Sequence, residues 1–102
     1  MGYEYGIKQC RETLILLSSE ESFENRMVSA FSEIKVIQPE DVSKEHFREI
    51  NDLHEEYLSV NTMAISSDRS LQDENKKKQF AHLANRLVWL CTEIIEKNTR
   101  KN

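Results

Sequence analysis

Glycine and proline are almost absent from this chain. Both glycines, Gly2 and Gly6, lie within the first six residues, and Pro39 is the only proline. Tight hairpins, phosphate-binding loops and dinucleotide-binding turns need glycine for positive φ angles or for close backbone approach. Residues 7–102 contain no glycine, which excludes a P-loop, a Rossmann turn and a nucleophile elbow from that part of the sequence.

Long apolar runs and paired cysteines are missing as well. The longest apolar run near the start, residues 14–17, is too short for a membrane span or for the hydrophobic region of a signal peptide. We therefore expect a cytoplasmic protein that does not cross a membrane. The two cysteines, Cys10 and Cys91, form no CxxC motif and have no histidine at zinc-finger spacing. This spacing favours buried free thiols over a disulfide or a redox role. Neither the His-x-x-x-His nor the Glu-x-x-His spacing of helical metal sites occurs in the sequence, so we predict no metal and no cofactor.

Helical periodicity is what the sequence does contain. Apolar residues recur at steps of three and four through nearly all of the 102 residues, a length typical of one domain. The pattern predicts an all-α fold, most simply an antiparallel bundle of four helices in a single domain covering residues 1–102. The helices are predicted at about residues 3–17, 19–35, 42–62 and 70–98.

Capping residues and Pro39 set the predicted boundaries. Ser18 and Glu21 have capping-box spacing, which predicts that the second helix starts beside Ser18. Pro39 ends this helix, because the residue before proline disfavours the helical conformation, and Asp41 or Ser43 is expected to cap the third. The predicted core stripes are Tyr3, Ile7, Cys10, Leu14 and Leu17; Phe23, Met27, Ala30, Phe31 and Ile34; Phe47, Ile50, Leu53, His54, Tyr57 and Leu58; and Phe80, Leu83, Ala84, Leu87, Leu90, Cys91, Ile94 and Ile95.

Charge is distributed unevenly along the chain. Residues 1–66 carry 13 acids and 6 Lys or Arg, a net charge of −7, whereas residues 67–102 carry 5 acids and 8 bases, a net charge of +3. The acidic body argues against nucleic-acid binding, which needs clustered cations. Four acids share one face of the third predicted helix. This acidic stripe consists of Glu45, Glu49, Asp52 and Glu56. It is either a solvated outer face or a surface for a basic partner, whose complementary charge would speed encounter.

Trp89 lies outside the core stripe of the fourth predicted helix. The helical repeat turns it about 180° away from Phe80. Its polar face also carries His82 and Arg86, and Arg86 is close enough in sequence to stack on the indole. Tryptophan and arginine are frequent anchors of interfaces. The alternatives are an exposed anchor for a partner or a homodimer, and a side chain packed beneath another helix.

Two short patterns resemble those of catalytic helical families. Arg48 and His54 are separated by five residues, which is similar to the Arg-x(4–6)-His pattern of HEPN ribonucleases. That resemblance implies RNA cleavage with both residues at one cleft, across a dimer. Residues 80–83, Phe-Ala-His-Leu, resemble the phosphohistidine helix of phosphotransfer domains, which implies a solvent-facing, phosphate-accepting His82.

The function that this sequence favours is a non-catalytic protein-binding module. Small acidic helical chains are often inhibitors, immunity proteins or antitoxins that neutralise a basic partner such as a nuclease toxin, and the analogy is one of size and charge. The predicted partner-binding residues are the acidic stripe together with His82, Arg86 and Trp89. No catalytic residue is assigned. The alternatives are a HEPN-like ribonuclease and a structural subunit of a homo-oligomer.

Overall fold

The structure, a computed structural model, describes residues 3–62 and 69–99, and it describes side chains over 3–60 and 76–98. These residues form α1 (Glu4–Leu17), α2 (Phe23–Ile34), α3 (Lys44–Thr62) and α4 (Arg69–Thr99), with a 3₁₀ turn at Pro39–Asp41 before α3. No strand occurs in the described ranges. The predicted all-α bundle of four helices is therefore confirmed.

The last two helices run in opposite directions. His46, near the start of α3, pairs with Glu93 near the end of α4, whereas Tyr57 lies 5.6 Å from Phe80, centroid to centroid. α4 therefore runs antiparallel to α3. α1 packs along α2 on one side and α4 on the other, and α4 also packs along α3. α1 and α4 thus form the inner pair of the bundle, with α2 and α3 outside them.

The buried face of α1 differs from the predicted stripe. Cys10 is fully buried, but the other four predicted residues are only half-buried. The remaining buried positions of α1 are Gly6, Gln9 and Thr13. Because α1 packs against two helices, its inner face is wider than one stripe and includes small and polar side chains.

Gly6 allows the 3₁₀ turn to pack directly on the backbone of α1. A Cβ atom at this position would overlap the carbonyl oxygen of Asp41 and lie 2.9 Å from Cγ1 of Val42. Val42 itself is buried in the core. The absence of a side chain at Gly6 is therefore what admits the α2–α3 connection to this end of the bundle.

The start of α2 was predicted wrongly. Ser22, rather than Ser18, is the N-cap residue, and its hydroxyl accepts a 3.3 Å hydrogen bond from the backbone N–H of Asn25. Ser18 instead donates its hydroxyl to the carbonyl oxygen of Leu14, 2.9 Å away, at the end of α1. The proposed capping box with Glu21 therefore does not form, because both members belong to the connection between the helices.

The third and fourth helices follow their predicted stripes more closely. Ser43 caps α3, accepting a 3.2 Å hydrogen bond from the backbone N–H of His46, whereas the carboxylate of Asp41 accepts from the N–H of Gln38 within the 3₁₀ turn. Leu58 was predicted to be buried but is 46% exposed. The buried members of the two predicted stripes are Ile50, Leu53, Tyr57, Phe80, Leu83, Leu87, Leu90, Cys91 and Ile94. None of the described helices is both long enough and apolar enough to cross a bilayer.

Candidate functional site

The acidic stripe lies on the flank of α3 that borders α4. All four of its side chains are exposed, beside the buried Leu53. The steps of four, three and four residues produce this alignment, since neighbours at those spacings lie one above another on a helix. The predicted placement of the stripe on one helix face is confirmed.

Arg86 joins the stripe to α4. Its guanidinium forms an ion pair with the carboxylate of Glu56, and both side chains are about half exposed. This contact bridges the two helices on the outside of the bundle. The expected stacking of Arg86 on Trp89 is not found. Among the described residues, the cation–π contacts are those of Arg26 with Phe23 and of Lys76 with Phe80.

Within the described residues, the other three members of the stripe have no cationic partner. In the described part of the chain, no Lys, Arg or His nitrogen lies within 4.0 Å of a carboxylate oxygen of Glu45, Glu49 or Asp52. We call these three residues the unpaired acids. Like charges at these helical spacings repel, by about a few tenths of a kcal/mol for each pair. The part of the fold that the structure describes therefore does not neutralise these three charges.

Open cavities follow the seam between α3 and α4. The first, of about 530 Å³, is lined by Tyr3, Ser43, Glu45, His46, Glu49, Glu93, Lys97 and Asn98. The second, of about 110 Å³, is lined by Glu49, Asp52, Leu53, Arg86 and Leu90. The third, of about 230 Å³, is lined by Glu56, Val60, Lys78, Gln79, His82 and Leu83. Six of the seven predicted partner-binding residues therefore lie along one seam.

Trp89 is the seventh, and its side chain is 76% exposed. This exposure shows that Trp89 does not pack beneath another helix. Of the two alternatives, an exposed side chain that could anchor a partner or a second copy of the chain therefore remains. Trp89 follows Arg86 by one turn and precedes Leu90, and both of those residues line the second cavity. Trp89 itself lines none of these three cavities. We use the name α3–α4 surface for the acidic stripe together with His82, Arg86 and Trp89.

A polar cluster at one end of this surface was missed by the sequence analysis. His46 is only 6% exposed, and its Nε2 lies 3.5 Å from Oε2 of Glu93. Oε1 of Glu93 also accepts a 3.0 Å hydrogen bond from Nζ of Lys97, and this bond lowers the pKa of Glu93. The i,i+4 spacing of Glu93 and Lys97 predicts their pairing. The position of His46 depends on how α3 packs against α4, so no local pattern predicts it.

The two residues of the ribonuclease-like pattern have different surroundings in the structure. Arg48 is exposed, whereas His54 is half-buried beside Phe31 and Tyr57, with ring centroids 6.2 and 6.3 Å away. Six residues apart on a helix, Arg48 and His54 are turned about 120° from each other. Burial lowers the pKa of His54, and the charge of Lys35 adds to the effect.

His82 lies open to solvent, as the resemblance to phosphotransfer domains implies. It shares the third cavity with Lys78 and Glu56.

Within the described residues, no three His, Cys, Asp or Glu side chains are grouped so that they could hold a metal ion. No protein-family model matches the chain, and no curated protein or solved structure is significantly similar to it.

Proposed function

We propose that this chain is a non-catalytic protein-binding module whose α3–α4 surface binds and masks a basic partner protein in the cytoplasm. Its role is that of an inhibitor, immunity protein or antitoxin. The observation that carries the proposal is the contrast within the acidic stripe. Glu56 is neutralised by Arg86 of the same chain, whereas the unpaired acids have no cationic partner among the described residues.

The unpaired acids fit an interface better than a purely structural role. Their mutual repulsion opposes folding slightly, by about a few tenths of a kcal/mol per pair, and no described contact offsets it. Lysine or arginine side chains of a partner would offset it on binding. Such complementary charge also raises association rates and disfavours partners of the wrong sign.

Trp89 supplies the apolar part of the same surface. An indole that is 76% exposed keeps most of its apolar area in water, and burying such area contributes roughly 25 cal/mol per Å². The residue stands on a long helix packed on two sides, so its backbone is held in place before any partner arrives. Rigid aromatic residues beside charged groups are common energetic centres of interfaces.

The exposure of the carboxylates favours binding over catalysis. A general acid or base usually needs a carboxyl group that is shielded from water and has a shifted pKa. Glu45, Glu49 and Asp52 are open to solvent on a helix face. An open position of this kind leaves each carboxylate accessible to the cationic side chains of a partner.

Capture of the partner with matched charge variants tests the proposal. The tagged full chain, the site variant E45Q/E49Q/D52N and the control variant E12Q/E20Q/E21Q are each used as bait in lysate of the source cells. The three control acids are also exposed but lie on α1 and in the α1–α2 connection. Each variant removes three negative charges, so overall charge is matched. Native mass spectrometry and quantitative proteomics identify what is retained.

We expect the wild type and the control variant to retain the same basic protein, and the site variant to retain about tenfold less of it, which corresponds to about 1.4 kcal/mol of binding free energy. Raising the salt concentration should weaken the complex, because exposed charges are screened. Equal retention by all three baits would contradict the proposed surface. A homodimer with no second protein would favour the homo-oligomer alternative.

A further inference from the structure

α4 carries a stripe of exposed side chains on the side opposite its buried face. Trp89 is the largest of them, 76% exposed, and it lines none of the three cavities along the α3–α4 seam. At 100° per residue, four other exposed side chains lie within about 40° of Trp89 around the helix. They are Lys78, His82, Asn85 and Glu96. We call these five residues the outer stripe of α4.

The spacing of the outer stripe is typical of a face along which two helices pair. Its members follow one another at steps of four, three, four and seven residues. Side chains that repeat in this way, every 3.5 residues on average, are those that meet a neighbouring helix along its length. α1 and α3 pack along other sides of α4. Because all five side chains are exposed, no helix in the described part of the chain covers this stripe.

The two ends of the outer stripe carry opposite charges that are not matched inside the chain. Lys78 and Glu96 are about 27 Å apart along the helix, too far to pair with each other. Among the side chains that the structure describes, no opposite charge lies within 4.0 Å of either one. Glu96 also lies in the last turn of α4, where the helix dipole disfavours a negative charge.

We propose that the outer stripe is the interface of a homodimer in which α4 pairs with α4 of a second copy running in the opposite direction. A twofold axis level with Leu87 relates the two copies. Lys78 and Glu96 are nine residues before and after Leu87, so each lysine meets the glutamate of the other copy. Both ends of the stripe are thereby matched at once, which a parallel pairing would not achieve.

The same axis places the indole of each copy against the other copy. Asn85 and Trp89 are two residues before and after Leu87, so each Trp89 lies over Asn85 of the second copy. The side-chain amide there can accept a hydrogen bond from the indole N–H. The apolar area of both indoles is removed from water, which supplies the hydrophobic part of the interface.

The acidic stripe of α3 reinforces the antiparallel arrangement. Glu49 shares cavities with Leu90 and Glu93, so the unpaired acids lie beside the C-terminal half of α4. In the dimer this half faces the end of the second α4 that carries Lys78. The negative end of each copy therefore meets the positive end of the other, and such complementarity favours this orientation over the parallel one.

The dimer would regulate the binding surface of the protein. It covers Trp89 and His82, so a basic partner would have to displace the second copy before it could contact them. This consequence rests on the proposed function, whereas the dimer itself does not.

Charge reversal at the two ends of the outer stripe tests the dimer, because the pairing predicts which variants combine. Lys78→Glu places like charges at both ends of the dimer, and so does Glu96→Lys. The double variant Lys78→Glu/Glu96→Lys restores opposite charges, as does an equimolar mixture of the two single variants. Lys77→Glu is the matched control, since Lys77 is an adjacent exposed lysine turned about 100° away from Lys78.

Sedimentation equilibrium of the purified full chain over a range of concentrations measures the association. We expect the wild type and Lys77→Glu to approach twice the monomer mass as the concentration rises. Each single variant should have a dissociation constant about tenfold higher, because every reversal acts at both ends of the dimer. The double variant and the mixture should recover the wild-type behaviour. Trp89 is the only tryptophan, so its fluorescence should shift to shorter wavelength on association.

Three results would overturn the inference: a wild type that stays monomeric at every concentration, a mass that grows beyond two chains, or single variants that dimerise as strongly as the wild type. Failure of both the double variant and the mixture to associate would also overturn it. Each of these results leaves the capture of a basic partner by the acidic stripe untouched. Conversely, a dimer that forms as described while no basic partner is captured would contradict the proposed function alone.

Discussion

Phe31 of α2 and Tyr57 of α3 stack face to face, with ring centroids 4.3 Å apart and ring planes inclined by 6°. Both side chains are buried. α2 otherwise meets α3 less extensively than it meets α1. The stack is therefore a principal direct link between the two outer helices of the bundle.

Truncating Phe31 should destabilise the whole fold. Phe31→Ala removes a ring that is 1% exposed, and such substitutions typically lower the free energy of unfolding by about 3–5 kcal/mol. Tyr57→Phe is the control because it keeps the ring pair and removes only the hydroxyl. We expect it to change stability by about 1 kcal/mol or less. Urea unfolding followed by circular dichroism measures both, and a wild-type midpoint for Phe31→Ala would show that the stack is wrongly placed.

Gly6→Ala should also be destabilising, although alanine favours helices by about 1 kcal/mol over glycine. The new methyl group would overlap the carbonyl oxygen of Asp41, and overpacking of this kind costs about 1–3 kcal/mol. Lys8→Ala, at an exposed position of the same helix, should change stability by no more than about 0.5 kcal/mol. A higher melting temperature for Gly6→Ala than for the wild type would contradict the close approach of the 3₁₀ turn.

Protonation of His54 should lower the stability of the fold as the pH falls below 6.5. Burial lowers the pKa of this histidine in the folded protein from its ordinary value of 6.5. The unfolded state therefore binds the proton more readily, and acidification from 6.5 toward the folded-state pKa favours unfolding. His54→Gln should remove this component of the pH dependence, whereas His82→Gln, at an exposed site, should preserve it. An NMR titration that places the pKa of His54 at or above 6.5 would refute the prediction.

Substitutions on the α3–α4 surface should separate binding from stability. Neutralising Glu49 relieves repulsion, so Glu49→Gln should leave the free energy of unfolding unchanged or raise it by about a few tenths of a kcal/mol. Trp89→Ala, at an exposed position, should shift it by no more than about 0.5 kcal/mol. Both variants should bind the captured partner more weakly by titration calorimetry. Unfolding of the bundle by Trp89→Ala would instead place the indole in the core.

RNA incubated with the purified protein should remain intact. Arg48 and His54 face different directions on α3, and His54 is packed beside aromatic rings. Specific cleavage by the wild type that is lost in His54→Ala would support the ribonuclease alternative in place of the masking role. Gel analysis of a mixed-sequence RNA with both proteins makes this comparison.

α4 shows how well a single apolar stripe predicts packing. Leu83, Leu87 and Ile94 are buried as predicted, and Trp89 is exposed on the opposite side. The helical repeat alone carries that information. In α1 the same reasoning failed, because contact with two helices buries Gly6 and Thr13, which no hydrophobic pattern marks.

The ends of helices and the contacts between helices were harder to predict than the buried face of α4. Ser18 and Ser22 are both suitable caps in sequence, and the choice of Ser22 depends on where the chain turns between two packed helices. The acidic stripe was predicted from α3 alone. The ion pair that neutralises Glu56 was not predicted. Its partner Arg86 lies 30 residues away in the sequence and reaches Glu56 only when α3 and α4 pack together.

The ion pair between Glu56 and Arg86 sets the length of the negative surface. From Glu45 to Asp52 a helix rises only about 10 Å, and beyond Asp52 the charge of Glu56 is matched by Arg86. A patch this short accommodates the cations of one loop or one helical turn. It is too short to line an extended polycation. Under the proposed function, the expected target is therefore a compact group of two or three basic side chains.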